Sequence, residues 1–179
     1  GAGAGAAGVL VWYDTTVYSL AGPPVELYPG RLLQMKLKVQ ADGTAITLIA
    51  AYMPPRQRAP TEAEQEALDA VWDALAAAVD AADRADELLL VAGDLNAETR
   101  DGLRRWSRQP THSDDNLDQL EREFGLGSLA ATEVTHLAWG QRGAQRSTID
   151  HWLAQPTLAQ RCTATVVPGT GGRLLTTAT

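Results

Sequence analysis

The 179-residue sequence has little cysteine: Cys162 stands alone. The chain therefore cannot close a disulfide on itself, and folds that depend on such staples are excluded. A reducing compartment is allowed, and Cys162 reads as a small packed thiol. No apolar run approaches the roughly 18 residues that a membrane-crossing helix needs, so no membrane partner is expected. The opening Gly1 to Ala7 has no basic stretch ahead of an apolar one. It does not read as a secretory signal, and a flexible leader over 1–7 is expected. Positive charge is short too, since 15 Lys and Arg against 22 Asp and Glu leave a net charge of −7. That is the wrong sign for a module holding nucleic acid by its phosphates alone. It does not argue against a carboxylate metal site, which is acidic until a cation fills it. Internal repeats and long low-complexity linkers are also missing.

What is present has globular usage, 45% hydrophobic and 21% charged, and a length suited to one domain, expected over 8–179. Gly8 to Tyr13 reads as a short apolar strand, followed by a proline-containing loop to Gly30. From Leu33 to Gln40 the residues alternate, with Leu33, Met35, Leu37 and Val39 on one face, which predicts a half-buried strand. Ala41-Asp42-Gly43 supplies a hairpin turn into a second, more buried strand ending at Tyr52. Thr61 and Glu64 form a capping-box pattern ahead of Leu68, Val71, Trp72, Leu75 and Val79, so a helix is expected to about Ala82. Leu88 to Ala92 is a continuous apolar run of the kind buried on both sheet faces. A shorter helix around Leu117, Leu120 and Phe124 is expected to stop at Gly125, and strands are expected over 147–153 and 163–167. The pattern predicts a layered α/β or α+β domain with helices covering a sheet.

Three segments carry candidate chemistry. Leu88 to Asn96 is a buried strand that ends in Gly-Asp-Leu-Asn. If the chain stays extended, Asp94 and Asn96 point to one side, where a carboxylate can orient water or hold a metal and an amide can donate to a phosphate oxygen. The same residues also favour turns for purely backbone reasons. In Ser147-Thr-Ile-Asp-His-Trp-Leu153 an Asp-His pair interrupts an apolar strand. Neighbours on a strand point to opposite faces, so Asp150 is expected in the site and His151 on the packed face with Ile149 and Leu153. In Ala50-Ala-Tyr-Met-Pro-Pro55, Tyr52 ends a strand before a rigid turn and offers a phenol donor, or is simply an amphipathic edge residue. His112 and His136 carry no assignment from this reasoning.

In this order, Tyr-Met-Pro, Gly-Asp-Leu-Asn, Val134-Thr-His136 and Ser147-Thr-Ile-Asp150 resemble the endonuclease/exonuclease/phosphatase superfamily over roughly 8–167. Within it the spacing is similar to endonuclease domains of non-LTR retrotransposons. The resemblance implies a four-layer fold, a two-layer β-sandwich flanked by helices, here incomplete. It implies a nuclease in which Asp94 activates water, Asn96 and Tyr52 bind the scissile phosphate, Thr135 lies near the scissile strand, and Asp150 supports the centre. It also implies Mg²⁺ or Mn²⁺ at Asp94 and Asn96, nucleic acid and chiefly DNA as partner, and a reverse transcriptase domain in the same polyprotein. An intracellular, nuclear location follows only from a retroelement origin. The family's early asparagine and metal-binding glutamate would precede Gly8, and its closing Asp-His would follow Thr179, so this chain alone is expected to be a poor catalyst. His151 stands where many relatives carry tyrosine, and Pro55 where repair nucleases carry a polar residue. The Trp-Cys-Asp-Arg element of inositol phosphatases is absent, which disfavours a non-nucleic-acid phosphate ester. A non-catalytic relative serving as a binding domain is the reading from a different class.

Overall fold

A computed structural model describes residues 8–55, 60–129, 134–140, 143–166 and 174–178. The leader expected over 1–7 lies outside them. Two short edge strands, β1 (Tyr18–Leu20) and β2 (Val25–Tyr28), both run antiparallel to β3 (Leu32–Val39). The alternation of β3 is realised as expected, with Met35 and Leu37 buried and Lys36 and Lys38 exposed. Its hairpin turn leads into β4 (Ala45–Tyr52), a largely buried strand. The capping box forms at Thr61 and opens α1 (Glu62–Arg84), which crosses back to β5 (Leu88–Asp94). β4 and β5 are parallel, the pairing that needs such a crossover.

Beyond β5 come α2 (Arg100–Arg105), α3 (His112–Phe124), β6 (Gly127–Ser128), β7 (His136–Gly140) and β8 (Gly143–Ser147). They are followed by β9 (Asp150–Ala154), α4 (Pro156–Ala159), β10 (Cys162–Val166) and β11 (Leu174–Ala178). Among the described residues the strands make a seven-stranded mixed sheet, ordered β1-β3-β4-β5-β9-β6 with β2 also on β3, and two two-stranded ribbons, β7-β8 and β10-β11. This is the layered sheet-and-helix class expected. On one face Ile49, Val91 and Leu153 pack against Val71, Leu75 and Val79 of α1 and against Leu117 and Leu120 of α3. On the other face Met35, Leu37, Leu48, Leu90, Ala92 and Leu158 form a second apolar layer. Burying a leucine or valine fully stabilises by about 1.5–3 kcal/mol, so these layers hold the strand ends in register.

Some local expectations need correction. Residues 8–13 form no strand: Val11 and Tyr13 rest on the second apolar layer, while Leu10 and Trp12 are exposed at 76% and 87%. A short apolar run becomes a strand only where a ladder partner exists, and none of the described strands pairs with it. The region read as loop instead contributes β1 and β2 at the sheet edge. The strand expected over 147–153 is broken at Thr148 and Ile149, with Ser147 ending β8 and Asp150 opening β9. The short helix α2 carries too little apolar periodicity to be seen in the sequence, since it buries only Gly102 and Leu103.

Candidate active site

The site begins with a glycine. Gly93 has φ +141°, and a Cβ there would overlap the carbonyl oxygen of Ala51 on the neighbouring strand. Only glycine lets β5 approach β4 this closely at its end. The next residue, Asp94, is thereby placed directly beside Tyr52 in the parallel register and directly opposite Asp150 in the antiparallel one. Directly paired residues share a sheet face, with Cβ atoms about 4.5–5.5 Å apart across an antiparallel pair. Tyr52, Asp94 and Asp150 thus form one row across three strands, at the rim of the face that carries Leu48, Ala92 and Trp152. All three are half-buried.

After Asp94 the chain does not stay extended. Asn96 sits in the left-handed region at φ +46°, a conformation asparagine tolerates better than most residues. Its backbone N–H donates to Asp94 Oδ1 at 3.0 Å, and its Nδ2 donates to the Met53 carbonyl at 2.9 Å. The turn-forming and the chemical readings of Gly-Asp-Leu-Asn therefore describe one object, an Asx turn that presents a carboxylate. The Asn96 amide is carried back toward the turn after Tyr52, on the same end of the sheet.

Three contacts fasten this loop to the segment around Asp150. Leu95 N–H donates to the Ile149 carbonyl at 2.8 Å. His151 is fully buried, with Nε2 2.9 Å from the Ala97 carbonyl and Nδ1 3.3 Å from Ser128 Oγ. It is a packed residue on the helix-facing side of the sheet, as the alternation of β9 predicts. Glu98, also fully buried, accepts the Thr148 N–H with both carboxylate oxygens at 3.1 Å, and the Arg108 guanidinium lies 3.7 Å away. Gly102 makes room for it, because a Cβ there would meet the Glu98 carboxylate. Asp114 Oδ1 accepts the Glu98 N–H at 2.6 Å.

Thr135 is buried, and its Oγ1 accepts the N–H groups of Ile149 at 3.0 Å and Asp150 at 3.1 Å. The hydroxyl thus caps the start of β9 and sets the direction in which Asp150 leaves the backbone. Sequence reasoning missed Glu98 altogether. Its one signal was a position two residues past Asn96, and a charged residue there reads as solvated surface. His112 lies apart from the row, with Nε2 2.7 Å from Asp69 Oδ1 on the outer helices.

An acidic pair on a strand-end row, with a donor amide and a phenol at hand, offers carboxylate oxygens to a cation and hydrogen-bond donors to an anion. The chain belongs to the endonuclease/exonuclease/phosphatase family, whose sequence profile matches residues 1–172. No curated protein sequence matches significantly. Among solved structures it is similar to the endonuclease domain of TRAS1, a telomere-specific non-LTR retrotransposon, with TM-score 0.61 and 14% identity over 92% of this chain and 69% of that one. It is also similar to the 3'-5' exonuclease NExo of Neisseria meningitidis, at TM-score 0.57 and 16% identity over 90% of this chain and 70% of that one. The catalytic domain of Xenopus laevis APE2 matches at TM-score 0.58 and 15% identity over 80% of this chain and 52% of that one. At these identities the likeness is one of fold.

The family implies a divalent metal. Mg²⁺ is commonly held by one or two carboxylates, with waters and substrate phosphates completing its shell. The described residues contain no cluster of three His, Cys, Asp or Glu that could hold a metal. The facing carboxylates of Asp94 and Asp150, with the Asn96 amide nearby, fit a cation held in the sparser manner.

Proposed function

We propose that this chain carries the catalytic row of a divalent-metal-dependent phosphodiesterase that nicks nucleic acid, DNA foremost, of the retroelement type. The observation that carries the reading is the registered row of Tyr52, Asp94 and Asp150 on three adjacent strands. Asp94 orients the attacking water and takes its proton, with its carboxylate steadied by the Asn96 N–H. Tyr52 donates its O–H to a phosphoryl oxygen, and the Asn96 amide donates to another. Asp150 supports the centre from the opposite strand. Thr135, expected near the scissile strand, acts by holding the backbone of Ile149 and Asp150. Asp94 and Asn96, with Asp150 beside them, would hold Mg²⁺ or Mn²⁺, which would supply Lewis-acid neutralisation of the charge developing on the phosphoryl oxygens.

Nucleic acid is favoured over other phosphate esters because the similar folds include a retrotransposon endonuclease domain and a Neisseria 3' phosphatase bound to a product DNA hairpin. A retroelement origin makes a reverse transcriptase domain in the same polyprotein the natural partner. The test is nicking of supercoiled plasmid by the protein, expressed with the residues that flank this chain in its reading frame, in Mg²⁺ and in EDTA. Mg²⁺-dependent nicking that Asp94→Ala abolishes, with melting unchanged, is expected. Cleavage indifferent to chelator, or an Asp94→Ala protein as active as the parent, would overturn the assignment in favour of a binding domain.

A further inference from the structure

The row does not end at Tyr52. Arg31, one residue before β3, is the next member: Tyr52 N–H donates to its carbonyl at 2.9 Å, continuing the register in which Leu32 faces Ala51. Its guanidinium lies over the Tyr52 ring, 4.8 Å from the centroid, and Nη1 reaches the Tyr52 carbonyl only at 3.5 Å. Arg100, Arg104, Arg122 and Arg161 are each ion-paired with a carboxylate. Arg31 has no carboxylate partner among the described residues. A guanidinium has five N–H donors in a planar fork, and a cation–π contact with a ring uses none of them. The result is a cation with no carboxylate partner among the described residues, about two strand spacings, roughly 10 Å, from Asp94 along the sheet, in a chain of net charge −7.

We propose that Arg31 binds a phosphate flanking the one at Asp94, so that the site selects a polyanionic strand over an isolated phosphate ester. The proposal rests on the phosphodiesterase reading and adds to it the length of substrate the row engages. A lone phosphate placed between two carboxylates and a phenol gains nothing from a cation two strands away. A strand does, because it offers a further phosphate along its backbone.

Two measurements separate this inference from the reading beneath it. The first is fluorescence-anisotropy binding of a labelled DNA oligonucleotide at several salt concentrations, which needs no turnover. Arg31→Ala is expected to weaken binding about tenfold, the scale of one charge-assisted contact, and to reduce the log–log salt slope by about one. Arg31→Lys is expected to restore the slope and part of the affinity. The second is cleavage in Mg²⁺, by the same flanked protein used in the nicking test, of the oligonucleotide and of bis(4-nitrophenyl) phosphate, a diester without flanking phosphates. Arg31→Ala is expected to raise KM for the oligonucleotide while changing kcat/KM for the small diester less than about threefold. An unchanged salt slope, or equal losses on both substrates with melting intact, would overturn the proposal. A parent that binds with the expected slope but cleaves neither substrate would sink the phosphodiesterase reading and leave the assignment of Arg31 standing.

Discussion

Asp94 and Asp150 face each other as antiparallel partners at the ends of β5 and β9, each half-buried at the rim of the sheet. Like charges so placed destabilise a ladder, and a divalent cation between them reverses the sign of their interaction. Mg²⁺ is therefore expected to raise the melting temperature of the protein by a few degrees when present well above its Kd. Asp150→Asn is expected to remove most of that shift while leaving the metal-free protein at least as stable as the parent. Differential scanning calorimetry with and without Mg²⁺ checks both. An undiminished Mg²⁺ shift in the variant would exclude Asp150 from the cation's surroundings.

Asn96 combines backbone and chemical roles that two substitutions can separate. At φ +46° an alanine is strained by about 1–2 kcal/mol, whereas glycine is not. Asn96→Ala is expected to lose stability and also about 10²-fold or more in cleavage. Asn96→Gly is expected to recover much of the stability and none of the activity. Urea melts alongside plasmid nicking read the two effects, and recovery of activity in the glycine variant would reduce Asn96 to a turn former.

Gly93→Ala tests the close approach that builds the row. The added Cβ would overlap the Ala51 carbonyl oxygen at a φ of +141°, and the clash is with backbone, which cannot rotate away. A loss of more than about 3 kcal/mol, or failure to fold, is expected from combined overpacking and strain. A soluble Gly93→Ala protein melting within a degree or two of the parent would mean that β4 and β5 do not meet as described.

Glu121 sets a pH dependence away from the site. Burial, with Asp118 and then Asp101 adding to it, raises its carboxyl from about 4.5 to about 7. Across that interval the folded chain keeps a proton that the unfolded chain has released, so stability falls as pH rises from about 4.5 to about 7 and is level above. Glu121→Gln is therefore expected to melt a few degrees above the parent at pH 8 and close to it at pH 4.5. Thermal melts at the two pH values check this, and equal differences at both would remove the burial argument.

Much of the fold was legible in the chain. The alternation of residues 33–40, the capping-box pattern at Thr61 and Glu64, and the apolar run into Gly-Asp-Leu-Asn each carry one dominant local signal, and each appears where it was expected. The failures have a common origin. Residues 8–13 are apolar and rich in β-branched and aromatic side chains, but a strand requires a partner, and partners are a property of the folded sheet. α2 is short and polar, and its start is secured by Thr99 Oγ1 accepting the Gly102 N–H rather than by periodicity.

The same division runs through the site. The sequence by itself determined that Tyr52 and Asp94 would end strands, because apolar stems precede both of them, whereas it placed Asp150 inside a strand over 147–153 and only the structure shows it opening β9. It also determined that His151 would face the packed side, because strand side chains alternate. Only the tertiary structure decided that the three polar residues share one row. Register between strands distant in sequence is set by the packing of both sheet faces and by the close approach that Gly93 allows. The tertiary structure also decided that Glu98, Thr135 and Arg31 belong to the row's surroundings. Each reaches a backbone group or ring brought near by folding, and a local reading of composition cannot contain that proximity.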